Sequence, residues 1–357
     1  MTGYRLEIKF EDEISEIAFR GFNLNYSGAS KSSSSFTRSL ASLYYGTEFS
    51  EEALELAEEV EKKYLPPGSL KHYLSAWPNW IKALGQYIFD ELLPDDVSNV
   101  IRGLPGNSLI QLEIDENVSH VPWELMHTGK NFLCLEHIIG RVKGNGEDPP
   151  EPTSGPIPML MVADPTGDLF GAQNEANYII SQLRGSNLRI SRYGTEIRKK
   201  DYLQLLESGK YRIVHYSGHS ASSTDPGKSH HFFLDGPCYA YDIEALDMKA
   251  PPFLVFSNSC QSAEDSLEKD ETGNTSLAGA YLNAGVKGCM AAIWLVSDIG
   301  SSNFASDFYR FLLFGATLGE AVLRARRAAF KRWGYQDFIW GSYILYGNPE
   351  VRMVRRN

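Results

Sequence analysis

YRIVHYSGHS, Tyr211 to Ser220, and FLVFSNSC, Phe253 to Cys260, are the two stretches on which the fold turns. Each is a short, nearly continuous apolar run that stops at a chemically capable side chain, His219 in the first and Cys260 in the second. MLMVAD from Met159 and KGCMAAIW from Lys287 have the same form. Helix-like segments separate them: GAQNEANYIISQLR, KKDYLQLLE, TSLAGAYLNAG and SSNFASDFYRFLLFG. Uninterrupted apolar strands alternating with helices belong to parallel sheets covered on both faces. The pattern therefore predicts an α/β fold whose mostly parallel sheet is flanked by helices on both faces. In such sheets function collects at the carboxyl ends of the strands.

Upstream, GNGEDPPEPTSGPIP, Gly144 to Pro158, concentrates Pro, Gly and acidic residues as linkers do. A boundary there divides the chain into 1–150, an N-terminal α/β supporting or regulatory region, and 151–357, the domain that carries the chemistry. In the first part YRLEIKF, Tyr4 to Phe10, alternates as a half-buried strand does. NYSGASKSSSSF, Asn25 to Phe36, reads as a mobile loop, and Glu51 to Tyr64 as a helix capped by Ser50. A second helix is expected over about Leu70 to Leu92, interrupted or entered near Pro78. SLIQLEID, Ser108 to Asp115, reads as a strand, and Trp123 in the following HVPWELM as a core residue.

The 357 residues are 43% hydrophobic and 22% charged, which places the chain among globular proteins able to bury a sizeable core. A net charge of -11 opposes nucleic-acid or anionic-membrane binding as the main task. No apolar run is long enough for a membrane span, and MTGYRLEIKFEDE lacks the features of a secretory signal, so a cytoplasmic location is expected. The four cysteines stand singly, without C-x-x-C spacing, and neither disulfides nor a metal site are expected. No cofactor is expected either. GxGxxG after a strand, GxxxxGK[ST] and GxSxG are all absent, which argues against dinucleotide binding, a P-loop and an α/β-hydrolase.

If the strands ending at His219 and Cys260 lie parallel and adjacent, an imidazole and a thiol meet at one sheet edge. A Cys/His dyad needs this geometry, because the thiolate attacks and the imidazole lowers its pKa or carries its proton. Gly218 permits close backbone approach, and the amides of Gly218 and Cys260 form a candidate oxyanion hole, each donor worth about 3 kcal/mol in the transition state. Spacing alone leaves the alternative open, since a single Cys ending an apolar strand is also the pattern of a buried thiol. His215, earlier in its strand, reads as structural, and His230 and His231 as surface or packing residues. The segments Ser220 to Phe233 and Ser262 to Thr275, the second strongly acidic, read as loops able to gate such a site.

HYSGH, FSNSCQSA, GVKGCMAAIWLVSD, FYRFLLFGATLGEAVLRARRAA and YILYGNP, preceded by HVPWELM and MLMVADPTGDLFGAQNEA, together resemble the successive blocks of the CHAT proteases, caspase-like bacterial enzymes related to separase. The likeness runs from about Leu84 to Pro349. It implies a caspase-like catalytic domain, with His219 and Cys260 as the catalytic pair and a protein substrate. Where the family commonly has Gly after the histidine, this chain has Ser220. The resemblance also implies that Asp298, ending IWLVSD, lines a specificity pocket for Arg or Lys; its alternative role is to cap the next helix. Further implications are an activating partner and a place in a bacterial stress or antiphage pathway. The rival expectation is a caspase-like scaffold that binds without cleaving.

Overall fold

The computed structural model describes residues 3–11, 14–21, 24–31, 39–40, 42–43, 50–72, 77–115, 118–143, 155–221, 226–259, 276–294 and 296–355. They form two compact units, Met1–Gly144 and Asn145–Asn357.

In the first unit, β1 (Gly3–Glu11), β2 (Ile14–Gly21) and β3 (Leu24–Lys31) form an antiparallel meander. β4 (Leu109–Ile114) runs parallel to β1, and β5 (Ile138–Arg141) parallel to β4. The alternation in β1 buries Leu6 and Ile8 completely. α1 (Glu51–Tyr64) begins where the Ser50 hydroxyl accepts the Ala53 amide at 3.1 Å, and it buries Ala53, Leu56, Ala57 and Val60, one stripe of a 3.6-residue period.

Two expectations for this unit need correction. Of the helix expected over about Leu70 to Leu92, Ser69–His72 is a 3₁₀ turn, and the α-helix, α2 (Trp77–Tyr87), is entered near Pro78 and prolonged by one wide turn at Ile88–Leu92. Pro78 falls in the first turn of α2, where its missing N–H costs no hydrogen bond. The Ser-rich segment predicted as a loop is β3 from Asn25 to Lys31, while 32–36 lie outside the described residues. Its small side chains carry little strand signal, and pairing with β2 supplies the ladder they lack by themselves. α3 (Asp95–Gly103) follows, and a single helical turn at Leu133–Glu136 precedes β5.

HVPWELM has a structural task in this unit. Trp123 is 1% exposed and donates its indole N–H to the Val118 carbonyl at 2.9 Å. Glu124 takes a two-pronged pair from Arg141, Nε to Oε1 at 2.7 Å and Nη2 to Oε2 at 2.8 Å, with both side chains buried.

In the second unit the strand order is β14-β13-β12-β8-β6-β7. β6 (Ile157–Ala163), β7 (Leu188–Tyr193), β8 (Ile213–Ser217), β12 (Leu254–Asn258) and β13 (Gly288–Ala292) are parallel, and β14 (Tyr343–Gly347) is antiparallel to β13. α4 (Phe170–Gln182) and α5 (Lys199–Glu207) lie between the first strands in sequence, followed later by α6 (Ser276–Asn283), α7 (Asp298–Leu313) and α8 (Leu318–Trp333). α7 packs against both α4 and α8. This is the mixed, mostly parallel sheet with flanking helices that the alternation of apolar runs and helical stretches predicts. Every residue of β8 and of β12 is buried, which is why neither alternates in sequence.

The segment after His219, predicted as a loop over Ser220 to Phe233, begins and ends in strands. β9 (Ser220–Ala221), β10 (His230–Phe233) and β11 (Gly236–Tyr239) make a small separate sheet, with 222–225 outside the described residues. Three short strands carry too few residues each for a readable period, and β9 is paired through residues nine and eleven positions away.

Candidate active site

The last rung shared by β8 and β12 pairs Ser217 with Asn258. Two residues beyond these in sequence stand His219 and Cys260. Cys260 lies outside the described residues, as does the acidic segment 262–275. Gly218 and His219 are described in full.

His219 is held by its backbone. Its carbonyl accepts the Phe232 amide at 3.0 Å and the Tyr216 hydroxyl at 2.7 Å, and Ser220 Oγ sits 2.6 Å from His231 Nδ1. The small β9–β11 sheet is thus a clamp on the catalytic candidate. His231, expected as a surface or packing residue, is a fully buried part of that clamp, stacked 4.0 Å from the Tyr216 ring. Burial pushes its imidazole down to about 3, so it is neutral and able to accept or donate to Ser220 without a charge. Ser220, where the family commonly has Gly, therefore has a partner of its own. Gly218 is required by space: a Cβ there would lie 2.8 Å from the Tyr216 hydroxyl and 3.1 Å from Pro165.

The exposed side of His219 meets a residue that sequence reading missed. Its Nε2 is 3.2 Å from Asp168 Oδ1. Asp168 belongs to the turn DPTGDLF, which is organised by the buried Asp164 carboxylate. Oδ1 of Asp164 accepts the amides of Gly167, Asp168 and Leu169 at 2.8, 3.0 and 3.0 Å, and Oδ2 accepts the Gln173 side chain at 2.6 Å. The Thr166 hydroxyl, and after it the neighbouring His219, hold the Asp168 carboxyl below its ordinary range, so it is ionised at neutral pH. Two acids four residues apart around a Gly, directly after an apolar strand, were the available signal.

Asp298 is the first residue of α7 and is exposed. The capping role falls to Ser297, whose hydroxyl accepts the Gly300 amide at 3.1 Å. The Asp298 carboxylate rests on Gly171 in the first turn of α4: a Cβ on Gly171 would lie 2.6 Å from Asp298 Cγ. Asp168, Gly171 and Asp298 are thereby gathered around the start of one helix. Phe170 and Ile299, sequence neighbours of this pair, are 74% and 65% exposed.

Beneath this edge lies a buried polar cluster. Glu175 of α4 is 2% exposed and accepts Ser217 Oγ at 2.6 Å and Asn258 Nδ2 at 2.5 Å. Its other oxygen is 3.3 Å from Nε2 of His215, whose Nδ1 is 2.9 Å from the Tyr309 hydroxyl. His215 is fully buried, in keeping with the structural role expected of it. Burial, reinforced by the Glu175 charge, raises the Tyr309 hydroxyl well above its ordinary range, so that it stays a hydroxyl donor. Of the remaining cysteines, Cys238 and Cys289 are buried and pushed up to about 12, which makes them poor nucleophiles at neutral pH.

A mostly parallel sheet of this order, with an antiparallel strand beside β13 and a histidine and a cysteine following adjacent strand ends in sequence, defines a caspase-like α/β protein. The chain belongs to the CHAT domain family, whose model matches residues 82–348. Solved structures with the same fold include Saccharomyces cerevisiae separase in its complex with securin, at TM-score 0.57 and 14% identity over 98% of this chain. The Arg-specific cysteine proteinase gingipain R matches at TM-score 0.50 and 11% identity, over 79% of this chain and 76% of its own. The chain spans only 30% of the separase chain. No curated protein matches the sequence. Among the described residues, no helix is long and apolar enough to cross a membrane.

Proposed function

We propose that the chain is a cysteine endopeptidase in which His219 and Cys260 form the catalytic pair. The observation that carries the reading is the contact between His219 Nε2 and the ionised Asp168, made at the end of the strand beside the one that leads to Cys260. With Nε2 occupied by the carboxylate, Nδ1 is left for a thiol. In the reaction the Cys260 thiolate attacks the scissile carbonyl, and the amides of Gly218 and Cys260 receive the oxyanion. The His219 imidazolium then protonates the leaving amine. Water, deprotonated by His219, releases the acyl group from sulfur.

Asp298, exposed beside Gly171, is proposed to receive an Arg or Lys side chain on the residue before the scissile bond. Activation by a protein partner and service in a bacterial stress or antiphage response rest on the family likeness alone. The test is cleavage of a peptide library by the wild type and by Cys260→Ala and His219→Ala. Cleavage after basic residues that both substitutions abolish is the expected result. A wild type that cleaves nothing in the presence of its genomic neighbours' products would identify a binding scaffold instead.

A further inference from the structure

We propose that Glu175 is the positioning residue that sets His219 and Cys260 at their working separation, by tying the ends of β8 and β12 to α4. The inference rests on the peptidase reading above. A carboxylate is an expensive group to bury, and the interior gains more from an apolar side chain unless the acid has a task. At this position both donors to Oε2 come from the final rung of the two strands: Ser217, two residues before His219, and Asn258, two before Cys260. One oxygen atom thus holds both strands just ahead of their reactive residues.

The rest of the cluster fixes the direction of that tie. Asn258 can donate to Glu175 only with its amide in one orientation, and the Tyr343 hydroxyl, 2.6 Å from Asn258 Oδ1, holds it there from β14. His215, with Tyr309 of α7 behind it, sits against the second oxygen of Glu175. α4 also begins at Phe170, next to the Asp168 turn that contacts His219 and the glycine that Asp298 rests on. One helix is accordingly the common frame for the imidazole's outer contact and for both strand ends. Loss of the tie leaves each strand intact in the sheet ladder but frees its tip, and a misplacement of about 1 Å between reacting groups costs roughly 100-fold in rate.

Glu175→Leu fills the same volume without an acceptor, whereas Glu175→Gln keeps one. We expect Glu175→Leu to lower kcat roughly 100-fold with KM little changed, and Glu175→Gln to retain most of the activity. The second readout is the pH dependence of Cys260 alkylation by iodoacetamide, followed by peptide mapping. In Glu175→Leu its midpoint should move up toward that of an ordinary thiol, about 8.5, because the imidazole no longer faces the sulfur. If Glu175→Leu does not fold, Ser217→Ala, which removes one tie only, should show the same kcat effect in smaller measure. Unchanged kcat and an unchanged alkylation profile in a folded variant would overturn the inference, even if thermal stability falls. Absence of cleavage and of enhanced alkylation in the wild type itself would count against the peptidase reading instead.

Discussion

Replacing Gly171 by Ala should weaken the proposed preference for basic substrates while leaving the protein as stable or more so. The added methyl would sit 2.6 Å from Asp298 Cγ and 2.7 Å from Oδ1. Carbon contacts settle at about 3.5–4.0 Å, so the carboxyl must retreat by roughly 1 Å, and its exposure gives it room to do so. A charge-assisted hydrogen bond is worth about 1.5–3 kcal/mol, and solvent at this exposed site favours the lower figure. Displacing the carboxyl should then cost about tenfold in kcat/KM for an Arg or Lys peptide, since roughly 1.4 kcal/mol corresponds to a factor of ten. Gly to Ala within a helix is favourable by up to about 1 kcal/mol, so the melting temperature should hold or rise. Matched fluorogenic peptides with Arg, Lys or Leu before the scissile bond, with thermal melts on the same samples, provide the measurement. Asp298→Asn should produce the same change in preference. If Asp298→Asn abolishes the preference and Gly171→Ala leaves it intact, the packing of the carboxylate on that glycine is irrelevant to specificity. If neither changes it, Asp298 is not the determinant.

Asp168→Asn should reduce kcat by a few-fold and no more, because the contact it loses is solvent-exposed; an unaltered kcat would separate Asp168 from the work of His219. In the first unit, Glu124→Gln leaves the Arg141 guanidinium buried without its counter-charge, and urea unfolding should register a loss of about 3–5 kcal/mol. His231 titrates at about 3 and His127 at about 4 in the folded protein, both driven down first by burial. Below pH of about 6.5 the unfolded chain therefore takes up protons that the folded chain refuses, and stability falls with falling pH toward those values, His231 alone contributing a slope of about 1.4 kcal/mol per pH unit. Denaturant titrations from pH 7 to 4 should show this decline, and His231→Gln should flatten it; a level profile in the wild type would contradict the burial of these rings.

The parallel core and the neighbourhood of the site are legible in the residues alone. Strands β8 and β12 are apolar on both faces, so their runs are visible without any partner, and each points at the residue that follows it. The capped helix after Ser50 was equally legible, since a cap and an i, i+3, i+4 stripe are local properties. Features that depend on groups distant in the chain emerge on folding. β3 and the β9–β11 sheet exist through pairing that their own small or scattered residues do not announce. Asp168 and His219 are fifty-one positions apart, and Glu175 and Asn258 eighty-three, so no local period joins them. Asp298 reads from sequence as either a cap or a specificity residue; the structure gives the cap to Ser297 and lays the carboxylate on Gly171, a contact across 127 positions that only the packing of α7 on α4 creates.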